Sequence, residues 1–197
     1  MRQGDLFGTT AGHPAAAPLD AAAPRLLASQ LLAWQQRVAS HQAPLFAGEQ
    51  AAAKQQQLLD LPVHVEAPEA IAPLSLRQQP LSFWRWPQAA VSGAALYFVI
   101  DRPEDSGQPL LLYIGETARA EQRWKGEHDC KAYLAAYSEA LTKAGLTTRL
   151  SISFCSDVPR ETKARRALEQ ALIQRWLPPF NKETRLRWAT PFQAEGA

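Results

Sequence analysis

Apolar positions are spread unevenly along this chain, and their spacing changes near residue 93. In "RLLASQLLAWQQRVASHQ" (25–42), Leu27, Leu31, Trp34 and Val38 recur at helical spacing, which predicts an amphipathic helix. A second, Gln-rich helix is predicted over "EQAAAKQQQLLDL" (49–61). "PVHVEAPEAIAPLSLRQQP" then carries a proline every few residues and reads as extended or irregular. Past residue 93 the apolar blocks become short and dense. "ALYFVI" (95–100) and "LLLYI" (110–114) flank "DRPEDSGQP", a strand–loop–strand pattern. Both strands are apolar on both sides, so helices should cover both faces. "RLSISFC" (149–155) alternates, predicting a third strand with one wetter face.

Helices fit 118–125, 131–144 and 160–176, giving the order ββααβα. The fold class expected is α/β (α+β): a small three-stranded mixed or antiparallel sheet flanked by helices, with a largely helical or irregular N-terminal extension. The expected boundaries are a flexible tail with an Ala/Pro-rich linker (1–24), the extension (25–92), the compact domain (93–190) and a C-terminal tail (191–197). Residues 1–92 are not expected to form a core of their own; they either wrap onto the second half or stay mobile.

Bulk properties narrow the function classes. With 197 residues, 46% hydrophobic, the chain suits one domain plus an extension. A net charge of +2 gives no global field toward nucleic acid. No apolar run approaches the roughly 20 residues that span a bilayer, and "MRQGDLFG" lacks the apolar core expected of a signal peptide. Two cysteines without neighbours at metal-ligand spacing suit a reduced, cytoplasmic protein.

The last helix, "RETKARRALEQALIQRW", holds the first chemical signal. Leu168, Leu172 and Trp176 lie within about 80° of helix arc, and Ile173 widens it to about 140°. Glu169 falls inside that arc. A carboxylate there is costly without a partner, so it either pairs with Arg165 or Arg166 or ligates a metal at a cleft edge. Asn181 follows in "PPFNKE", a residue type common in turns and caps.

Together these residues resemble the GIY-YIG nuclease family over 93–183. "ALY" (95–97) stands where the family has Gly-Ile-Tyr, with Ala95 in place of the first glycine; "YIG" (113–115) matches the second motif. Arg123 matches the helix arginine, and "LEQALIQRWLPPFN" resembles the carboxy-terminal block of the bacterial excision-repair nuclease subunit. The resemblance implies that Tyr97, Tyr113, Arg123 and Glu169 meet in one catalytic pocket. It also implies one Mg²⁺ or Mn²⁺ on Glu169, with Gly115 and Asn181 in support and His128 as a further candidate base or phosphate contact. A guanidinium offers forked hydrogen bonds to the charge that builds on a phosphate. A phenol near a cation loses its proton more easily, so either tyrosine could be the base.

The implied activity is metal-dependent hydrolysis of DNA phosphodiester bonds in repair, recombination or replication-linked processing, associated with the nucleoid. The alternative is a non-catalytic module on the same fold that binds nucleic acid or a partner. Arg119, Lys125, Lys163, Arg165, Arg166 and Lys182 form a local basic surface for phosphates. "SFWRWP" (82–87) and Trp188 offer area for stacking on bases or for packing. Finally, "QGDLF" resembles the pentapeptide by which bacterial proteins dock on the DNA sliding clamp: Leu6 and Phe7 would fill an apolar pocket, with Gln3 and Asp5 beside it. "QAPLF" (42–46) is a poorer copy.

Overall fold

The computed structural model describes residues 28–59, 68–85, 91–125 and 129–192, with side chains at 49–59, 84 and 129 left aside. The tail with its "QGDLF" motif, Trp86 and His128 lie outside the described residues.

The sheet has four strands rather than three. Strands β1 (Gln79–Pro80), β2 (Ala95–Asp101), β3 (Leu110–Thr117) and β4 (Ser151–Cys155) run in the order β1-β4-β2-β3. Every pairing is antiparallel. The added strand β1 is a two-residue edge piece, and Pro80 suits it because an edge strand needs no outward N–H. Two-residue strands leave no periodic signal to read. Strand β2 is central and buried at all seven positions. The expected wetter face of β4 is largely covered: Ser153 is buried opposite Phe98 and Ser151 is half-buried, on the side that α4 (Thr162–Trp176) covers.

Helix α1 (Ala28–Leu59) is one helix of 32 residues, where the sequence suggested two. The break was expected in "APLFAG", yet the helix passes through Pro44. Buried anchors on both sides hold it: Gln42 bonds to β3 and α4, and the Phe46 ring lies 4.5 Å from that of Trp176. Leu31, Trp34 and Val38 join the core on one face of the sheet, and Phe46 joins that on the other. The N-terminal helix is therefore part of the domain's core. A buried network ties it further: Gln35 donates to the Tyr137 hydroxyl at 2.7 Å, and that hydroxyl donates to Asp101 at 2.7 Å.

Helices α2 (Ala120–Arg123) and α3 (Asp129–Lys143) follow β3. Leu134, Tyr137 and Leu141 of α3 pack on the face that carries Tyr97, and Leu168, Leu172, Ile173 and Trp176 of α4 pack on the opposite one. After α4, Leu177 turns left-handed at φ 47° and sends "PPFN" back toward β3. Trp188 is buried, and its indole N–H donates to the Leu177 carbonyl at 2.7 Å; it is core, not a stacking surface. Among the described residues no helix is long and apolar enough to cross a membrane.

Candidate active site

Strand β3 lies at the sheet's outer edge, where unpaired peptide groups need partners. Side chains and one peptide N–H supply them. Gln42 accepts from the Leu111 N–H at 2.8 Å and donates to its carbonyl at 2.9 Å. The Phe180 N–H donates to the Leu112 carbonyl at 3.0 Å. Asn181 accepts from the Ile114 N–H at 3.0 Å and donates to its carbonyl at 2.8 Å. Glu169 accepts from the Glu116 N–H at 2.9 Å. The glutamate is thus delivered to the strand directly after Gly115. Both ends of the Asn181 amide are used on the peptide of Ile114, so its place is to hold the strand between Tyr113 and Gly115, not to hold Glu169.

Tyr97 and Tyr113 stack across β2 and β3 with ring centroids 5.9 Å apart. Tyr97 bonds to Tyr113 on one side and accepts from Arg123 Nε at 3.1 Å on the other. The result is a line from Tyr113 through Tyr97 to Arg123. Gly115 pairs with Tyr97, and a Cβ there would overlap the Tyr97 phenol and come within 2.8 Å of the Tyr113 ring. The glycine is needed for close approach. The guanidinium is half-buried, and its Nε donates to the Tyr97 hydroxyl.

Burial sets the protonation states. It pushes both phenols upward, Tyr97 well above its ordinary value, and Arg123 only partly offsets this. The expected easy loss of a phenol proton is therefore not met in the protein by itself, because desolvation outweighs the guanidinium. Burial also pushes Glu169 up to about 7; the Glu116 carboxylate adds to the rise, while the Glu116 N–H and Arg123 oppose it.

The pairing expected for Glu169 goes elsewhere. Arg165 and Arg166 bind Glu116, at 2.8 and 3.2 Å. Glu116 is thus a second acidic group beside Glu169, which the spacing within α4 could not reveal because it comes from another strand. Arg165 is 1% exposed and is corrected from a phosphate contact to a buried partner. The helix arithmetic carried that signal: Arg165 falls about 60° round, inside the apolar arc. Arg119, Lys125, Lys163, Arg166 and Lys182 are exposed, as phosphate contacts require. "QAPLF" cannot dock anywhere, since Gln42 and Phe46 are buried.

The donor set suits a hard cation. Glu169 is a carboxylate made costly by burial and by a neighbouring acid, which a divalent ion would relieve. Among the described residues no group of three or more His, Cys, Asp or Glu converges. An ion at Glu169 would therefore take its remaining ligands from water and phosphate, as Mg²⁺ commonly does. No family model, curated protein or solved structure matches this chain.

Proposed function

We propose that the protein is a metal-dependent DNA endonuclease of the GIY-YIG type. The observation carrying this is the convergence at the β3 edge: two stacked phenols, a guanidinium bonded to one of them, and a carboxylate within electrostatic reach of Tyr113 and Arg123. Satisfying the Glu116 N–H needs an acceptor at Glu169, but not one placed within electrostatic reach of Arg123 and Tyr113.

Arg123 stabilises the charge that builds on the non-bridging phosphate oxygens. Tyr97, fully buried, aims the guanidinium. Tyr113 is the less buried phenol and orients the attacking water as a neutral group. Glu169 holds Mg²⁺ or Mn²⁺, which when bound neutralises charge on the phosphate and the leaving oxygen. The exposed Arg119, Lys125, Lys163, Arg166 and Lys182 hold the DNA backbone. Docking of residues 3–7 on a bacterial sliding clamp brings the enzyme to its substrate.

The full burial of Tyr97 favours a second reading, a module that binds DNA without cutting it. Purified protein incubated with plasmid, nicked and branched DNA and Mn²⁺ separates the two. Cleavage should fall ~10²–10³-fold in Arg123→Ala, disappear in Glu169→Ala, and persist in Lys143→Ala, a solvent-exposed pair partner of Glu139. Binding without cleavage under every condition would leave only the module.

A further inference from the structure

Glu116 makes two kinds of connection at once. Its side chain is tied to the start of α4: Oε2 accepts from Arg165 Nε at 2.8 Å. Arg165 in turn donates to the Pro159 and Arg160 carbonyls at 3.2 and 3.0 Å and to Thr162 Oγ1 at 3.4 Å. Its backbone N–H, meanwhile, reaches Glu169 Oε1 at 2.9 Å. Arg165 and Glu169 are one turn apart on the same helix, so a single residue of β3 spans them both. An ion pair of this partly buried kind rarely adds more stability than apolar side chains of equal volume, so its place here is read as fixing geometry.

We infer that Glu116, anchored by Arg165, is a positioning residue for Glu169. It fixes one carboxylate oxygen against the peptide N–H and presents the other to an incoming divalent cation. Hydrogen-bond partners that hold a metal-ligating side chain in place raise its affinity for the ion because less ordering accompanies binding. The role rests on the reading of Glu169 as the metal ligand proposed above.

Mn²⁺ titration of the full-length protein, followed by loss of the free-ion electron paramagnetic resonance signal, tests it. Glu116→Ala should weaken binding ~10–100-fold. Glu116→Gln, whose amide oxygen still accepts from Arg165, should bind close to the unsubstituted protein. Excess Mn²⁺ should restore cleavage by the alanine variant. A metal-free readout runs alongside: hydrogen exchange at the residue-116 amide should quicken ~10-fold in Arg165→Met while β2 amides keep their rates.

Equal Mn²⁺ affinity in Glu116→Ala and the unsubstituted protein overturns the inference. So does equal loss in the alanine and glutamine variants, which would mean charge and not position. If the unsubstituted protein binds no Mn²⁺, the metal reading of Glu169 fails on its own. The exchange result then decides the anchor: quickened exchange supports it, and unchanged protection removes it too.

Discussion

Glu169 is held under strain by its surroundings. Its folded-state value of about 7 lies above the ordinary 4.5, so the fold grips the proton more tightly than the unfolded chain does. Ionising it therefore costs stability: nothing below about pH 4, increasingly between pH 4.5 and 7, and a constant amount above. Glu169→Gln should accordingly raise the melting temperature at pH 8, by roughly 2–4 °C for each kcal/mol relieved, and leave it nearly unchanged at pH 4. Thermal melts at the two pH values check this; equal shifts at both would mean that burial does not strain the carboxylate. The helix arc singled out Glu169 in the sequence, and motif order singled out Tyr97, Tyr113 and Arg123. Glu116 was not legible as its neighbour, because the N–H that holds Glu169 belongs to a strand 53 positions away along the chain.

Among elements, β3 is the strand on which the site depends. Its outer edge is completed by α1, by α4 and by the turn that follows α4, so strand, helix and loop positions are fixed together. Gln42 bonds the Leu111 N–H and carbonyl at this edge and the Trp176 carbonyl of α4. Gln42→Ala would leave these buried groups without that partner, at ~1–3 kcal/mol for each lost satisfaction. A fall of roughly 3 kcal/mol in urea-unfolding stability is expected, together with slower cleavage if the proposed nuclease reading holds, because the strand carrying Tyr113 loosens. An unchanged midpoint would show that water replaces the glutamine. Three strands and the helices after residue 93 were readable from periodicity within a few residues. The continuity of α1 was not: a proline ordinarily marks an end, and only packing on either side keeps the helix whole.

At the scale of the whole molecule, a small sheet is covered on both faces by helices, and the first described helix belongs to its core. Of the six basic residues expected to contact phosphate, Arg119, Lys125, Lys163, Arg166 and Lys182 remain in solvent, a set drawn from three separate stretches of chain. The clamp docking proposed for residues 3–7 is tested separately. Leu6→Ala combined with Phe7→Ala should lower affinity for a bacterial sliding clamp at least ~10-fold, the loss of two hot-spot side chains, and leave Mn²⁺-dependent cleavage of naked DNA intact. Surface plasmon resonance with and without the substitutions measures it, and undiminished binding would discard the docking motif. What the sequence by itself determined is the set of strongly periodic elements and the chemical types in their order, because hydrophobic spacing and short motifs are local properties. Tertiary structure alone decided the partners: that Glu116 is the acid Arg165 meets, that Asn181 and Gln42 finish a strand edge, and that burial holds two phenols protonated. Those outcomes turn on desolvation and on distances between residues far apart in the chain, and no local pattern encodes either.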